Sequence, residues 1–140
     1  MPTRVALVSC VKQKRDMPAP AGELYQSQLF RGLRRYAERH ADRWFILSAE
    51  YGLLHPEQVV APYERTLNAM PKRERIAWAQ KVGQQLLEVL PGDAEVIMLA
   101  GLRYREELCK LLSIRGIPVT VPLEGLKIGE QLRQLKLDEK

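Results

Sequence analysis

Three segments of this chain break off in the same way, an apolar run stopping abruptly on small, polar or reactive residues. Arg4-Val5-Ala6-Leu7-Val8 runs into Ser9-Cys10-Val11-Lys12-Gln13-Lys14, and Trp44-Phe45-Ile46-Leu47 runs into Ser48-Ala49-Glu50-Tyr51-Gly52. Val96-Ile97-Met98-Leu99 runs into Ala100-Gly101-Leu102-Arg103-Tyr104. Short apolar runs bounded by such residues read as strands buried on both faces. In a parallel α/β sheet all their ends lie on one edge, where ligands bind. The pattern therefore predicts one pocket built from Cys10, two lysines, Ser48, Tyr51 and Tyr104.

The rest of the chain alternates with these strands. After the strand at 4–9 comes a loop over 10–22, broken by Pro18, Pro20 and Gly22, and then a helix from Leu24 to His40 with Leu29, Phe30, Leu33 and Ala37 at helical spacing. The second strand is 44–48. Residues 49–70 read as a long irregular connection, a length that is uncommon and often functional. Pro71 opens the next helix, which runs to Leu90. A third strand, Glu95–Leu99, a helix from Tyr104 to Ile114, a short strand Val119–Pro122 and a last helix ending near Leu135 follow, and the charged tail Lys136–Lys140 is expected to fray. Strand–helix alternation of this kind predicts a three-layer α/β/α sandwich with a four-stranded parallel sheet in a single domain, 1–140.

Composition narrows the function. No apolar stretch reaches about 18 residues, so no membrane partner is expected. The amino end lacks the apolar region of a signal peptide, so a cytoplasmic location is expected. The net charge of +5 favours anionic partners, a nucleic acid or a nucleotide, against the plainer reading of simple solubility. Oligomeric state is not legible. Two cysteines and two histidines, widely scattered, give no metal-ligand spacing, and no G-x-x-x-x-G-K-[ST] or G-x-G-x-x-G loop is present. No metal and no cofactor are therefore expected. Cys109, among Leu108, Leu111 and Leu112, reads as a small buried apolar residue.

Four segments carry candidate chemistry. In Ser9-Cys10-Val11-Lys12-Gln13-Lys14-Arg15 three cations follow a thiol; they favour a thiolate, or they hold a phosphate while Cys10 packs. Tyr25 and Ser27 stand where loop becomes helix, so Tyr25 is a stacking candidate and Ser27 either binds a ligand or simply caps the helix. In Ser48-Ala49-Glu50-Tyr51-Gly52, Glu50 is the acid nearest a strand end and the best general-base candidate, with Tyr51 able to stack on a planar ring. The competing reading is a tight turn in which Gly52 takes positive φ. Tyr63 belongs to a candidate lid, and Gly101, Tyr104 and Gly125 follow later strands. Arg31, Arg34, Arg35 and Arg39, with Lys72, Arg73 and Arg75, could contact phosphates, though such runs are more often solvated helix faces.

Taken together, Ser9-Cys10-x-Lys12-x-Lys14, Leu24-Tyr25-x-Ser27-x-x-Phe30, Leu47-Ser48-Ala49-x-Tyr51-Gly52-Leu53, Pro62-Tyr63-x-x-Thr66-Leu67 and Pro122-Leu123-x-Gly125-Leu126-x-Ile128-Gly129 resemble one largely uncharacterised bacterial and phage family, YaaA-like or peroxide-stress-protein-like. The chain more distantly resembles the lysine-transferring domain of archaeosine synthase and, through it, the uracil-DNA glycosylase superfold. Cys10, Lys12 or Lys14, Tyr25 and Ser27 look similar to that domain's cysteine, lysine, tyrosine and serine. The Lys-Pro-Tyr triplet, the glycosylase strand-end motif and its late histidine motif are absent. The resemblance thus implies a nucleobase or nucleotide pocket, in an enzyme acting on a base in nucleic acid or on its glycosidic bond. On that reading Glu50 activates water, Tyr25 or Tyr51 stacks on the base, and Lys12, Lys14 and Arg15 hold phosphate. The alternative is a non-catalytic DNA-binding stress-response protein.

Overall fold

The computed structural model describes residues 2–9, 17–25, 27–63 and 66–139. Cys10, Lys12, Lys14 and Arg15 lie outside the described residues. Strand β1 (Thr3–Ser9) is the axis of the fold, with Val5, Ala6, Leu7 and Val8 all fully buried. A strand that reads as a continuous apolar run must be covered on both faces. The covers are helical: α2 (Gln28–His40) on one face, α3 (Lys72–Val89) and α4 (Leu102–Ile114) on the other, and α5 (Ile128–Asp138) beside α2. A single turn, α1 (Ala21–Leu24), precedes α2.

The side-chain alternation of the strands divides the core in two. Val5 and Leu7 of β1, Phe45 and Leu47 of β3 (Arg43–Ser48), and Val96 and Met98 of β6 (Ala94–Leu99) pack with Trp78, Val82, Leu86, Leu108 and Leu112. Ala6 and Val8, Ile46, Ile97 and Leu99 pack with Phe30, Leu33, Ala37 and Leu135. Layers of helix, sheet and helix follow directly from this two-residue period.

The sheet has five strands, not four, in the order β4-β3-β1-β6-β7, with β4 (Gly52–Leu54) antiparallel at one edge and β7 (Val119–Thr120) parallel at the other. The extra strand lies inside the stretch expected to be an irregular connection. That stretch also holds β5 (Val59–Val60), paired with β2 (Ala19–Pro20), and one 3₁₀ turn at Leu67–Ala69.

Helix boundaries differ from expectation in three places, one of them the start of α4 at Leu102 in place of Tyr104. The first long helix starts at Gln28, because the Ser27 hydroxyl accepts the Phe30 N–H and caps it there. The last helix continues to Asp138, past the expected fraying point at Lys136. Its end is held by α2: Arg35 Nε donates to Glu139 at 2.7 Å, and Arg39 Nε donates to Asp138 at 3.2 Å. His40 Nε2 lies 2.9 Å from Asp138 Oδ2. Arg75, which read as either a phosphate contact or part of a solvated face, is buried at the start of α3, donating to the Met70 carbonyl and lying 3.5 Å from Glu106 of α4. No described helix is long and apolar enough to cross a membrane.

Candidate functional site at the carboxyl edge of the sheet

Strand order gives the sheet a switch point. From β1 the chain moves outward to β3, then crosses back over β1 to β6 and on to β7. The direction of winding reverses between β1 and β6, whose following helices lie on opposite faces. In doubly wound sheets the crevice outside the carboxyl ends of two such strands is where ligands bind.

A cavity of about 580 Å³ occupies that position, within the usual size of small-molecule sites. Its floor is strand-end residues, Ser9 of β1 and Met98 and Leu99 of β6, with Ala100 just past the strand. Apolar walls come from Leu29 and Leu33 of α2, Leu132 of α5 and Leu123. The polar groups are Ser27, Gln28, Asn68, Tyr104, Arg105 and Gln131. A comparable hollow of about 610 Å³ lies beside Arg4, His40 and Asp42, but at the amino ends of the strands.

Three helices begin at this cavity: Ser27 and Gln28 open α2, Gly101 precedes α4, and Ile128 opens α5. The first amides of a helix have no carbonyl partner within it and carry a partial positive charge. The first turns of α2 and α4 contain no acid to offset that charge. At α5 Glu130 does so, accepting the Lys127 N–H at 2.9 Å.

Local bonds hold the lining in place. The Gly101 N–H donates to Ser9 Oγ at 3.2 Å, joining the end of β1 to the start of α4. A serine hydroxyl that accepts one bond retains a proton to donate. Arg105 Nη1 donates to the Ala100 carbonyl at 2.9 Å, and Gln131 Nε2 to the Leu126 carbonyl at 2.9 Å, leaving the Gln131 amide oxygen as an acceptor. Tyr104 is buried edge-on against Trp78, with ring centroids 5.7 Å apart.

The residues expected to share one pocket separate into three groups. Ser9, Ser27, Gly101 and Tyr104 line the cavity. Tyr25, Tyr51 and Tyr63 form their own cluster. Tyr63 meets Tyr25 and Tyr51 edge-on, its hydroxyl shares a hydrogen bond with that of Tyr25, and the Tyr51 hydroxyl donates to the Ala61 carbonyl. Ser48, Glu50 and Gly52 belong to the β3–β4 hairpin. Ser48 is fully buried, its Oγ accepting the N–H groups of Glu50 and Tyr51 and its carbonyl accepting Trp78 Nε1, so its polar atoms serve the turn. Glu50 is exposed in the loop and does not line the cavity. Gly52 sits at φ +76°, as the tight-turn reading requires. Gly125 lies in the turn before α5, outside the lining that Leu123 and Ile128 join on either side of it. The Cys109 thiol is pushed up by burial, which favours its neutral form and agrees with a packing role.

Gln28, Asn68, Arg105 and Gln131 were not among the expected site residues. Three of them share a signal: Gln28, Arg105 and Gln131 fall in the first turn of the helices that open at the strand ends. Asn68 comes from the 3₁₀ turn and has no such signature.

Fold and cavity together define a doubly wound α/β protein with a ligand-sized recess at its switch point. The family model that matches residues 5–137 is a family of unknown function (DUF6884), and the chain belongs to it. A protein of Bacillus subtilis (strain 168), titled "Uncharacterized protein YfjM", is 32% identical over 141 residues, a match covering 94% of this chain and 92% of that protein.

Proposed function

We propose that the carboxyl-edge cavity binds a nucleobase or the base of a nucleotide. The observation that carries this reading is the division of its lining. Aliphatic walls from Leu29, Leu33, Leu123 and Leu132 suit the faces of a flat ring, and the amides of Gln28, Asn68 and Gln131 suit its edge. A primary amide offers a donor and an acceptor side by side, the pattern that base edges present. The uncompensated amino ends of α2 and α4, with Arg105, favour a ligand that also carries negative charge. Four parallel strands between helices are also in keeping with the glycosylase-like resemblance.

The reading is one of recognition first. Among the described residues lining the cavity none is a carboxylate or an imidazole, the usual general bases. A hydrolytic or transfer step would have to draw on groups brought to the mouth, and the segment Cys10–Arg15 follows Ser9 directly in sequence.

The test is an amide-resolved NMR titration with the common nucleosides and their 5′-monophosphates. At least one should shift the backbone signals of Ser27, Gln28 and Gly101 and the side-chain amide of Gln131 together. Shifts confined to the Tyr25–Tyr51–Tyr63 cluster would place the ligand elsewhere and overturn the assignment.

A further inference from the structure

The cavity does not end at its own rim. Gln28 and Leu132 line it, and the same two residues line a second hollow of about 390 Å³ between α2 and α5. One shared residue comes from each helix, so the two spaces adjoin at Gln28 and Leu132. The floor of the second hollow is apolar and close-packed: Gly32 of α2 faces Leu135 of α5, and a Cβ at Gly32 would stand 3.1 Å from Leu135 Cδ1.

The rim of the second hollow is charged, with Arg35, Arg133 and Lys136 against a single acid, Glu139. Arg35 already pairs with Glu139 at 2.7 Å. Arg133 and Lys136 are exposed and make no ion pair among the described residues. Three apart on a helix, they stand on one side of it. The acids at the end of α5 cannot offset them, because Asp138 and Glu139 are bonded to Arg39 and Arg35. Exposed cations on a helix are ordinarily just solvated. What sets this pair apart is their place along a groove that adjoins a recessed ligand site.

We infer that the α2–α5 groove is a phosphate subsite, in which the sugar–phosphate chain attached to a bound base leaves past Gln28 and Leu132 and lies against Arg133 and Lys136. The occupant is a single-stranded nucleic-acid segment, since a base stacked in a duplex cannot enter a recess between helices. The inference rests on the base-binding reading of the cavity. A free nucleoside polyphosphate offers the same phosphate chemistry and is separated from a strand by the measurement.

The experiment uses the full chain, the Arg133→Ala/Lys136→Ala double variant, and a Lys81→Ala/Arg115→Ala control that removes two exposed cations from the α3–α4 layer. Each is titrated with the common deoxynucleosides, their 5′-triphosphates and short single-stranded homopolymers of each base. Removing two phosphate contacts should weaken strand binding for every base and lower the log–log salt slope by about 1.4, from roughly 0.7 per contact. Nucleoside binding and the control variant should be unchanged. An equal loss on the triphosphates assigns the groove to a free nucleotide and overturns the strand as occupant. Loss of the same size in the control, or none in the groove variant, overturns the subsite itself. If strands bind through Arg133 and Lys136 while no nucleoside binds, the base-binding reading falls and the groove stands.

Discussion

The carboxyl ends of β3 and of β1 look alike as sequence and do opposite things in the fold. Each apolar run meets a serine, Ser48 in one case and Ser9 in the other. At β3 the chain turns straight back on itself: Ser48 pairs with Gly52, and three residues close the hairpin. Ser48 is fully buried, and the N–H groups of Glu50 and Tyr51 in the turn converge on its hydroxyl. At β1 both neighbouring strands, β3 and β6, run parallel, and the Ser9 hydroxyl accepts the Gly101 N–H at the edge of a cavity. The polar groups of one end are consumed by the backbone, and those of the other border an opening. What separates them is topology: the side of β3 away from β1 is open to a strand that folds straight back, β4, whereas β1 has parallel neighbours on both sides and its following helix lies on the opposite face from that of β6.

The largest effect that would sharpen this contrast is at Gly52. A left-handed residue other than glycine costs about 1–2 kcal/mol. A Cβ there would also stand 2.6 Å from Gln85 Oε1, which accepts the Leu53 N–H. Losing that bond adds about 1 kcal/mol. Gly52→Ala should therefore destabilise the protein by roughly 2–3 kcal/mol in urea unfolding, with nucleoside binding by the folded fraction retained. A cost within experimental error would mean that the hairpin does not depend on its left-handed residue.

The two serines test the contrast directly. Ser48→Ala strips the partner from two turn amides and should cost about 1–3 kcal/mol. Ser9→Ala removes one acceptor from a single bond and should cost less, about 0.5–1.5 kcal/mol, while weakening whatever binds in the cavity. Paired melts and titrations of the two variants check this. If Ser9→Ala proved the more destabilising and left binding untouched, the closed end and the open end would have to exchange roles.

The central strands and the layers were legible because burial on both faces writes itself as unbroken apolar runs, as in Val5–Val8. The antiparallel strand β4 was not, because Gly52-Leu53-Leu54 is too short for a period and sits between turn residues that read equally well as loop. Only part of the cavity was legible, through Ser9, Ser27, Gly101 and Tyr104, which stand at strand ends and helix starts. The tyrosine cluster was misplaced because Tyr25, Tyr51 and Tyr63 carry no mark of which loop they face. The hold on α5 was hidden for another reason: Asp138 and Glu139 look like a frayed acidic tail until Arg35, Arg39 and His40, about a hundred positions earlier, are brought beside them.

That hold yields the smallest effect, and it bears on how the open end keeps its shape. The hairpin at β3 is closed by backbone bonds, whereas one wall of the cavity is α5, which buries only Leu135. Its carboxyl end is held by ion pairs to α2. Arg39, by hydrogen bond first, and then His40 hold the Asp138 carboxyl below its usual value, outweighing the opposing effect of burial. A carboxylate whose value is lowered by folding stabilises the fold above the ordinary range of about 3.8, and that contribution fades as pH falls through the lowered value. The pair is partly exposed, so at neutral pH Asp138→Asn should cost only about 0.3–1 kcal/mol. The gap between the two proteins should close as the solution is acidified below pH about 4. Hydrogen exchange of the α5 amides gives the sharper reading: protection should drop in Asp138→Asn at pH 7 and leave the β3–β4 hairpin unaffected. A gap that widens on acidification would show instead that the fold prefers the protonated carboxyl, and the wall of the cavity would then be held by something other than this ion pair.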